Sequence, residues 1–250
     1  MKALFNVLIY QPIFNLFVWL YTVIPDVGIV IFVVTLIIKL VLYPLTQKSI
    51  KAQKELSDLQ PKLEDLKQKH KGDQQAIAQG TMKLYKEHKV NPFGSCLPLL
   101  VQLPIFLGLY WVFQDGLTSN NFDLLYPFIK SPGTINTLSL GFIDLAKPNV
   151  VLAVLAGLAQ FWQAKMMIAK RPPKAAGAGG KDEDMAAMMN KQMLYFMPIL
   201  TVFIGFSFPG GLALYWLFST LLTVGQQYLI MKGQKTSSPA ILEGEIVEKK

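Results

Sequence analysis

Five stretches of the chain, near 27–46, 97–115, 149–168, 192–208 and 211–231, are almost uninterrupted runs of apolar residues. Each is close to the roughly 20 residues that a helix needs to cross about 30 Å of hydrocarbon. The pattern therefore predicts an all-α polytopic membrane protein with five transmembrane helices, assigned to 27–47, 93–115, 149–168, 192–208 and 211–231. Only Pro209, Gly210 and Gly211 separate the fourth from the fifth, and so tight a turn predicts antiparallel neighbours.

Between the first two spans, over 48–92, the period changes. Leu56, Leu59, Leu63 and Leu66 recur at helical spacing among lysines and acids, and Ile77, Leu84 and Tyr85 resume after Gly72-Asp73. This is the pattern of a helical hairpin, with Pro61 predicting a kink or a restarted helix in its first arm. Residues 1–26 are apolar but interrupted by Asn6, Gln11, Pro12 and Asn15, and no small-x-small cleavage site follows. They read as an interfacial amphipathic helix on the outer face, anchored by Trp19 and Tyr21. The segment 116–148, broken by Pro127, Pro132 and Pro148, reads as an extracytoplasmic loop with a short interfacial helix. The stretch KRPPKAAGAGGKDED within 169–191 lacks an apolar face and reads as a flexible loop, and 232–250 as a tail. Met185, Met188, Met189, Met193 and Met197 crowd the approach to the fourth span, where methionine suits either span packing or an adaptable contact surface. No internal repeat of the inverted-repeat transporter kind is visible.

Composition agrees with this reading: of 250 residues, 52% are hydrophobic and 16% charged, and the mean hydropathy is +0.37. The net charge of +8 would suit nucleic acid if it were spread over one soluble surface, but it is segregated by loop. Ten lysines lie in 48–90, six basic residues in 165–191 and four after Met231, against only Lys130 and Lys147 in 116–148. Basic loops mark the cytoplasmic side, so the first span runs from outside to inside, the N-terminus is outside and the C-terminus cytoplasmic. No sequence-specific nucleic-acid binding is expected; the lysine-rich hairpin suits anionic lipid headgroups or a cytoplasmic partner. Cys96 is the one cysteine, which excludes an internal disulfide or a cysteine metal cluster. There is no phosphate-binding Gly-rich loop, no HExxH and no nucleophile elbow, and His70 and His88 both sit on the basic hairpin. No enzyme chemistry, metal or cofactor is predicted.

The polar residues within the spans are more informative. Lys39 interrupts IVIFVVTLIIKLVLYPLT, and a cation in hydrocarbon costs upwards of about 3 kcal/mol unless something compensates it. Thr35, Lys39 and Tyr43 follow one another at four-residue steps on one helix face, with Thr46 and Gln47 continuing the stripe. On the fifth span Tyr215, Ser219, Thr223 and Gln227 repeat that spacing, with Thr220 and Gln226 beside them. Gln160 and Gln163 mark the third span and Gln102 the second. Taken singly, such residues usually hydrogen-bond between helices at about 1 kcal/mol or less each. Together with a cation that has no acidic residue inside any span, they predict a wet groove. Lys39 lies about 9 Å along the helix from Leu45, toward the cytoplasmic end, so a snorkelling lysine is the simpler alternative.

KLVLYPLTQKSIKAQKELSDLQPKL, LYKEHKVNPFGSCLPLLVQLPIFLGLYW and FPGGLALYWLFSTLLTVGQQYLI resemble the YidC/Oxa/Alb family of membrane protein insertases, over nearly the whole chain and in order. The resemblance implies a bacterial inner-membrane protein in a short form without the large extracytoplasmic domain. It also implies a five-helix core with a cytoplasmic hairpin and a hydrophilic groove that receives the polar part of a nascent client, while the client's apolar segment slides into lipid. Nascent membrane proteins and the bilayer are the implied partners; whether ribosome and Sec translocon take part is left open. The chain departs from the family in carrying Lys39 where arginine is usual, which keeps the charge but not the bidentate fork, and Ser219-Thr220 where Ser-Asn is common. Competing classes are a small anion or solute transporter or channel, with Lys39 binding the anion, and a structural scaffold in which the hairpin is the functional element.

Overall fold

A computed structural model describes residues 2–70, 72–91, 94, 97–115, 122–167 and 192–235. Cys96, the 169–191 loop, Met185, Met188 and Met189, and the tail beyond Lys235 lie outside the described residues. The described part is mostly helical. A short helix α1 (Lys2–Phe5) passes through a π-helical turn (Asn6–Tyr10) into α2 (Gln11–Val23). Then follow α3 (Val27–Val41), α4 (Tyr43–Lys69), α5 (Gln74–Glu87) and α6 (Leu97–Val112). A two-stranded hairpin, β1 (Leu138–Ser139) and β2 (Ile143–Asp144), precedes α7 (Val150–Met167). A π turn (Gln192–Phe196) leads into α8 (Met197–Gly205), and α9 (Gly210–Lys235) ends the described chain.

Among the described residues two helices, Ala3–Val23 and Val150–Met167, are by themselves long and apolar enough to cross a membrane, and α3 with α4 qualifies as a pair bent by 71°. The first predicted span is thus shorter than expected: α3 ends at Val41, and the chain turns before α4. Pro44 explains the position of the bend, because its ring has no N–H and crowds the carbonyl four residues back, at Leu40. By contrast, α4 runs on through Pro61 as one helix, so of the kink or restart expected there a restart does not occur.

The ends of the helices are fixed by their own side chains. The Asp26 carboxylate accepts the Ile29 amide at 3.0 Å and caps α3, Asp73 accepts the Ala76 amide at 2.9 Å and caps α5, and Asn149 accepts the Leu152 amide at 3.1 Å and caps α7. Arms α4 and α5 lie antiparallel, with Lys62 against His88 and Leu66 against Gly80. Leu59 and Leu63 are buried beneath α4. Helix α7 is the principal neighbour of both α8 and α9, and small residues let α7 and α8 approach: a Cβ on Gly205 would sit 2.6 Å from the Ala153 Cβ. The short turn at Pro209 therefore does not make α8 and α9 each other's main partners.

The segment before α7 differs from its expectation: among its described residues it forms a β-hairpin and turns, with no helix. Leu138 pairs with Asp144 and Ser139 with Ile143. Leu140 and Gly141 close the turn at φ of 52° and 82°, a conformation that glycine adopts freely and leucine only at a cost. That cost is offset by Asp26, whose carboxylate accepts the Leu140 amide at 2.7 Å and the Ser139 hydroxyl at 2.8 Å. The loop is tied down elsewhere too. The Asn15 side chain accepts the Tyr126 amide at 2.6 Å and donates to the Leu124 carbonyl at 3.0 Å, and the Tyr21 phenol accepts the Asn136 amide at 2.8 Å. The first two amides of α9, at Gly210 and Gly211, donate to the Lys147 and Leu145 carbonyls, each at 2.9 Å. Under this cap lies the core, in which Phe14, Phe17, Val18, Val27, Val30, Val112, Phe113 and Leu145 are wholly buried.

Candidate functional site: a buried polar ladder around Lys39

On α9 the four-residue spacing places Tyr215, Ser219, Thr223 and Gln227 in one stripe, and all four are buried, as is Thr220. On α3 the same spacing brings Thr35 and Lys39 to the face that packs on α9. Lys39 is half-buried, and its Nζ donates to the Thr223 hydroxyl at 2.9 Å. The Thr223 hydroxyl in turn donates a hydrogen bond to the Ser219 carbonyl at 2.8 Å. One turn up, the Gln102 amide of α6 donates to the Tyr215 phenol at 2.7 Å, four residues before Ser219 on the same stripe. Three helices thus meet along one polar stripe of α9, through Lys39–Thr223–Ser219 and Gln102–Tyr215. Thr35 is beside it but turns inward, donating to the Ile31 carbonyl of its own helix at 2.6 Å.

Not every predicted residue joins. Gln160 accepts a short hydrogen bond from the Thr201 hydroxyl and so belongs to the α7–α8 contact; Gln163 is half-buried farther along α7. Tyr43 lies beyond the bend, so the predicted stripe through Thr46 and Gln47 does not continue as one straight face. The Tyr43 side chain is exposed, its carbonyl accepts from Gln226 Nε2 at 3.4 Å, and Thr46 donates back to the Leu42 carbonyl at 2.9 Å.

The electrostatics are one-sided. Among the described residues the ion pairs are Lys83–Glu87 at 4.0 Å and Lys147–Asp144 at 3.1 Å, both at the surface, and Lys39 has no carboxylate partner. An ammonium group has three hydrogens to give, and the Thr223 hydroxyl takes one. Two buried acceptors at the same end of the molecule, Gln227 Oε1 and Ser49 Oγ, have no partner among the described residues. An unpaired buried polar atom costs about 1–3 kcal/mol, so such atoms call for an explanation. Lys39 lines neither of the two described cavities, which are apolar. Among the described residues no group of carboxylates, histidines or cysteines could hold a metal ion. Thr201 and Ser49 were not predicted: Thr201 sits in an apolar run and Ser49 among lysines, so neither carries a period of its own.

The chain matches the family model "60Kd inner membrane protein" over residues 19–237. It is 42% identical to "Membrane protein insertase YidC" of Fusobacterium nucleatum over 205 residues, which cover 82% of this chain and 86% of that protein. It is 36% identical to the Histophilus somni protein of the same name, over 89% of this chain but 36% of that one, so it spans about a third of that relative's length. Among solved structures it resembles "Active YidC insertase crystal structure with the first transmembrane domain resolved", with a TM-score of 0.56 and 26% identity, covering 90% of this chain and 46% of that one.

Proposed function

Since this chain belongs to the 60Kd inner membrane protein family, that of the YidC insertases, we propose that it inserts newly made membrane proteins into the bacterial inner membrane, receiving the hydrophilic part of each client around Lys39. The chain crosses the bilayer with α3, α6, α7, α8 and α9, the loop before α7 lies outside, and the α4–α5 hairpin lies in the cytoplasm. The N-terminal helix lies along the outer face although it is long enough to cross. What supports this is that Tyr10, Phe17 and Tyr21 find Asp115, Phe113 and Asn136, all at the loop end of the bundle.

The observation that carries the reading is Lys39 itself, a half-buried cation bonded to Thr223 among polar side chains from three helices, with no carboxylate to neutralise it among the described residues. A client's acidic residue supplies the missing charge for as long as its polar segment stays in the groove, and the unpartnered acceptors at Gln227 and Ser49 take its donors. Moving a hydrophilic segment partway across on such contacts lowers its transfer cost without any chemical step. The apolar part of the client leaves sideways into lipid.

Reconstitution tests this directly. Purified protein in liposomes is offered a small single-span client with an acidic tail, and protection of that tail from external protease reports insertion. Wild type and Lys39→Arg insert it; Lys39→Glu does not. Release of an entrapped anion in the absence of client, with no insertion in its presence, would instead support an anion pathway through Lys39.

A further inference from the structure

A second cavity, remote from Lys39, holds about 320 Å³ between α3, α7 and α9 under the β-hairpin. Helix α9 forms its back wall with Leu214 and Phe218, α3 one side with Ile29 and Phe32, and α7 the other with Leu152. Ser139 and Leu140 form the roof. The roof sits low because Gly28 has no side chain: a Cβ there would collide with the Ser139 hydroxyl. That hydroxyl, the polar side-chain group of the roof, donates to Asp26 at 2.8 Å and has no hydrogen left to donate to an occupant. The Phe32 and Phe218 rings meet edge to face at 5.1 Å and close the floor.

We propose that this crevice binds the acyl chain of a phospholipid from the leaflet on the loop side, an inference that rests on the reading that α3, α7 and α9 span the bilayer. The walls are apolar, so the occupant is apolar. From Gly28 to Phe32 the crevice is only about 6 Å deep at 1.5 Å per residue, against about 30 Å of hydrocarbon, so a client's spanning helix cannot lie in it while part of a lipid chain can. It is continuous with the lipid-facing surface, since Ile29 and Phe32 are 42% and 39% exposed on one side of its mouth and Val151 and Leu155 are 66% and 43% exposed on the other. A chain seated there fills contacts that the divergence of α3 and α7 leaves open, and it braces the hairpin roof against α9.

The full chain is reconstituted with a phospholipid carrying a photoactivatable diazirine in its acyl chain, irradiated, and its adducts mapped by peptide mass spectrometry. Adducts concentrate on 28–32 and 214–218, exceeding those at Leu103 and Phe203, which face outward on α6 and α8. Leu214→Trp lowers the crevice adducts about tenfold, the equivalent of losing roughly two buried methylene groups, and leaves those at Leu103 and Phe203 unchanged. Ile143→Trp repeats the test from the roof without altering a span. Labelling of the crevice no stronger than at Leu103 and Phe203 overturns the site while leaving the membrane reading intact; labelling nowhere overturns both. Loss of lipid adducts when a client bearing its own photoprobe labels the crevice would assign the crevice to the client instead.

Discussion

Helices α3 and α9 each pass through two regions that differ in kind. Toward the loop, Val27, Val30, Ile31 and Val34 of α3 meet Leu212 and Ala213 of α9 in a core sealed by Phe14, Phe17 and Phe113, and the loop bonds the first amides of α9 and the Asp26 carboxylate at the start of α3. Toward the opposite end, from Thr35 and Ser219 onward, Thr35, Ser219, Thr220, Thr223 and Gln227 are buried beside Val224 and Ile230, the half-buried Lys39 joins them, and two buried acceptors have no partner among the described residues. The first region satisfies its polar groups and excludes water. The second holds polarity that it does not fully satisfy. One pair of helices therefore supplies both a sealed apolar region and a region whose polar groups are not all paired among the described residues.

The contrast breaks most visibly in the sealed half. Phe17→Ala leaves a cavity against Phe113 and costs about 3–5 kcal/mol, so the unfolding midpoint in detergent falls while insertion by the surviving folded protein is unchanged. Thr223→Val acts in the other half: it removes the acceptor of Lys39, leaves the midpoint nearly unmoved and lowers insertion of an acidic-tailed client about fivefold, the size of about 1 kcal/mol. If Thr223→Val changed stability and spared insertion, the division between halves would be wrong. Tyr215→Phe sits at the boundary, removes the acceptor of Gln102 and costs about 1 kcal/mol of stability with about a twofold loss of insertion, both measurable on the same preparations.

The smallest effect is that of pH on the seal. Partial burial pushes the Asp26 carboxyl up, but hydrogen bonds from the Leu140 and Ile29 amides, the Ser139 hydroxyl and the Gly28 amide outweigh it and hold the group below its ordinary value of 3.8. A depressed folded value means that the stabilisation is complete above the unfolded value and is lost as pH falls through the folded one. Protease nicking of the loop therefore rises below about pH 4 in wild type. In Asp26→Asn it is already raised at neutral pH and rises less with acid, the remainder coming from Asp144, whose carboxyl the Thr137 hydroxyl and Lys147 also hold below its ordinary value; a wild-type profile no steeper than that of Asp26→Asn would remove Asp26 from the seal.

The helices were legible because apolar runs and the leucine spacing of α4 leave a strong period. The bend after Val41 was not, since Pro44 acts backward on the carbonyl of Leu40 and the hydropathy does not change there. The hairpin at 138–144 was missed because strands of two residues carry no alternation, and because its turn uses Leu140, a residue that signals no turn. Asn15 was read as an interruption of an apolar helix; it is the residue that binds the loop at Leu124 and Tyr126. In the candidate site, four-residue spacing brought out Lys39, Thr223, Ser219 and Tyr215, which the structure joins. Spacing could not show that Gln160 turns to Thr201, because a glutamine on a span has partners on two sides and only packing chooses between them.

If the charge of Lys39, which has no carboxylate partner among the described residues, attracts the acidic part of a client, then exchanging charge between protein and client reverses the preference. Insertion into proteoliposomes is measured for a client with an acidic tail and for the same client with those acids replaced by lysine, using wild type and Lys39→Glu. Wild type inserts the acidic tail and Lys39→Glu falls by about a hundredfold, as expected for like charges brought together, and then recovers with the lysine tail. Equal insertion of both tails by both proteins would contradict the account and leave Lys39 a snorkelling lysine.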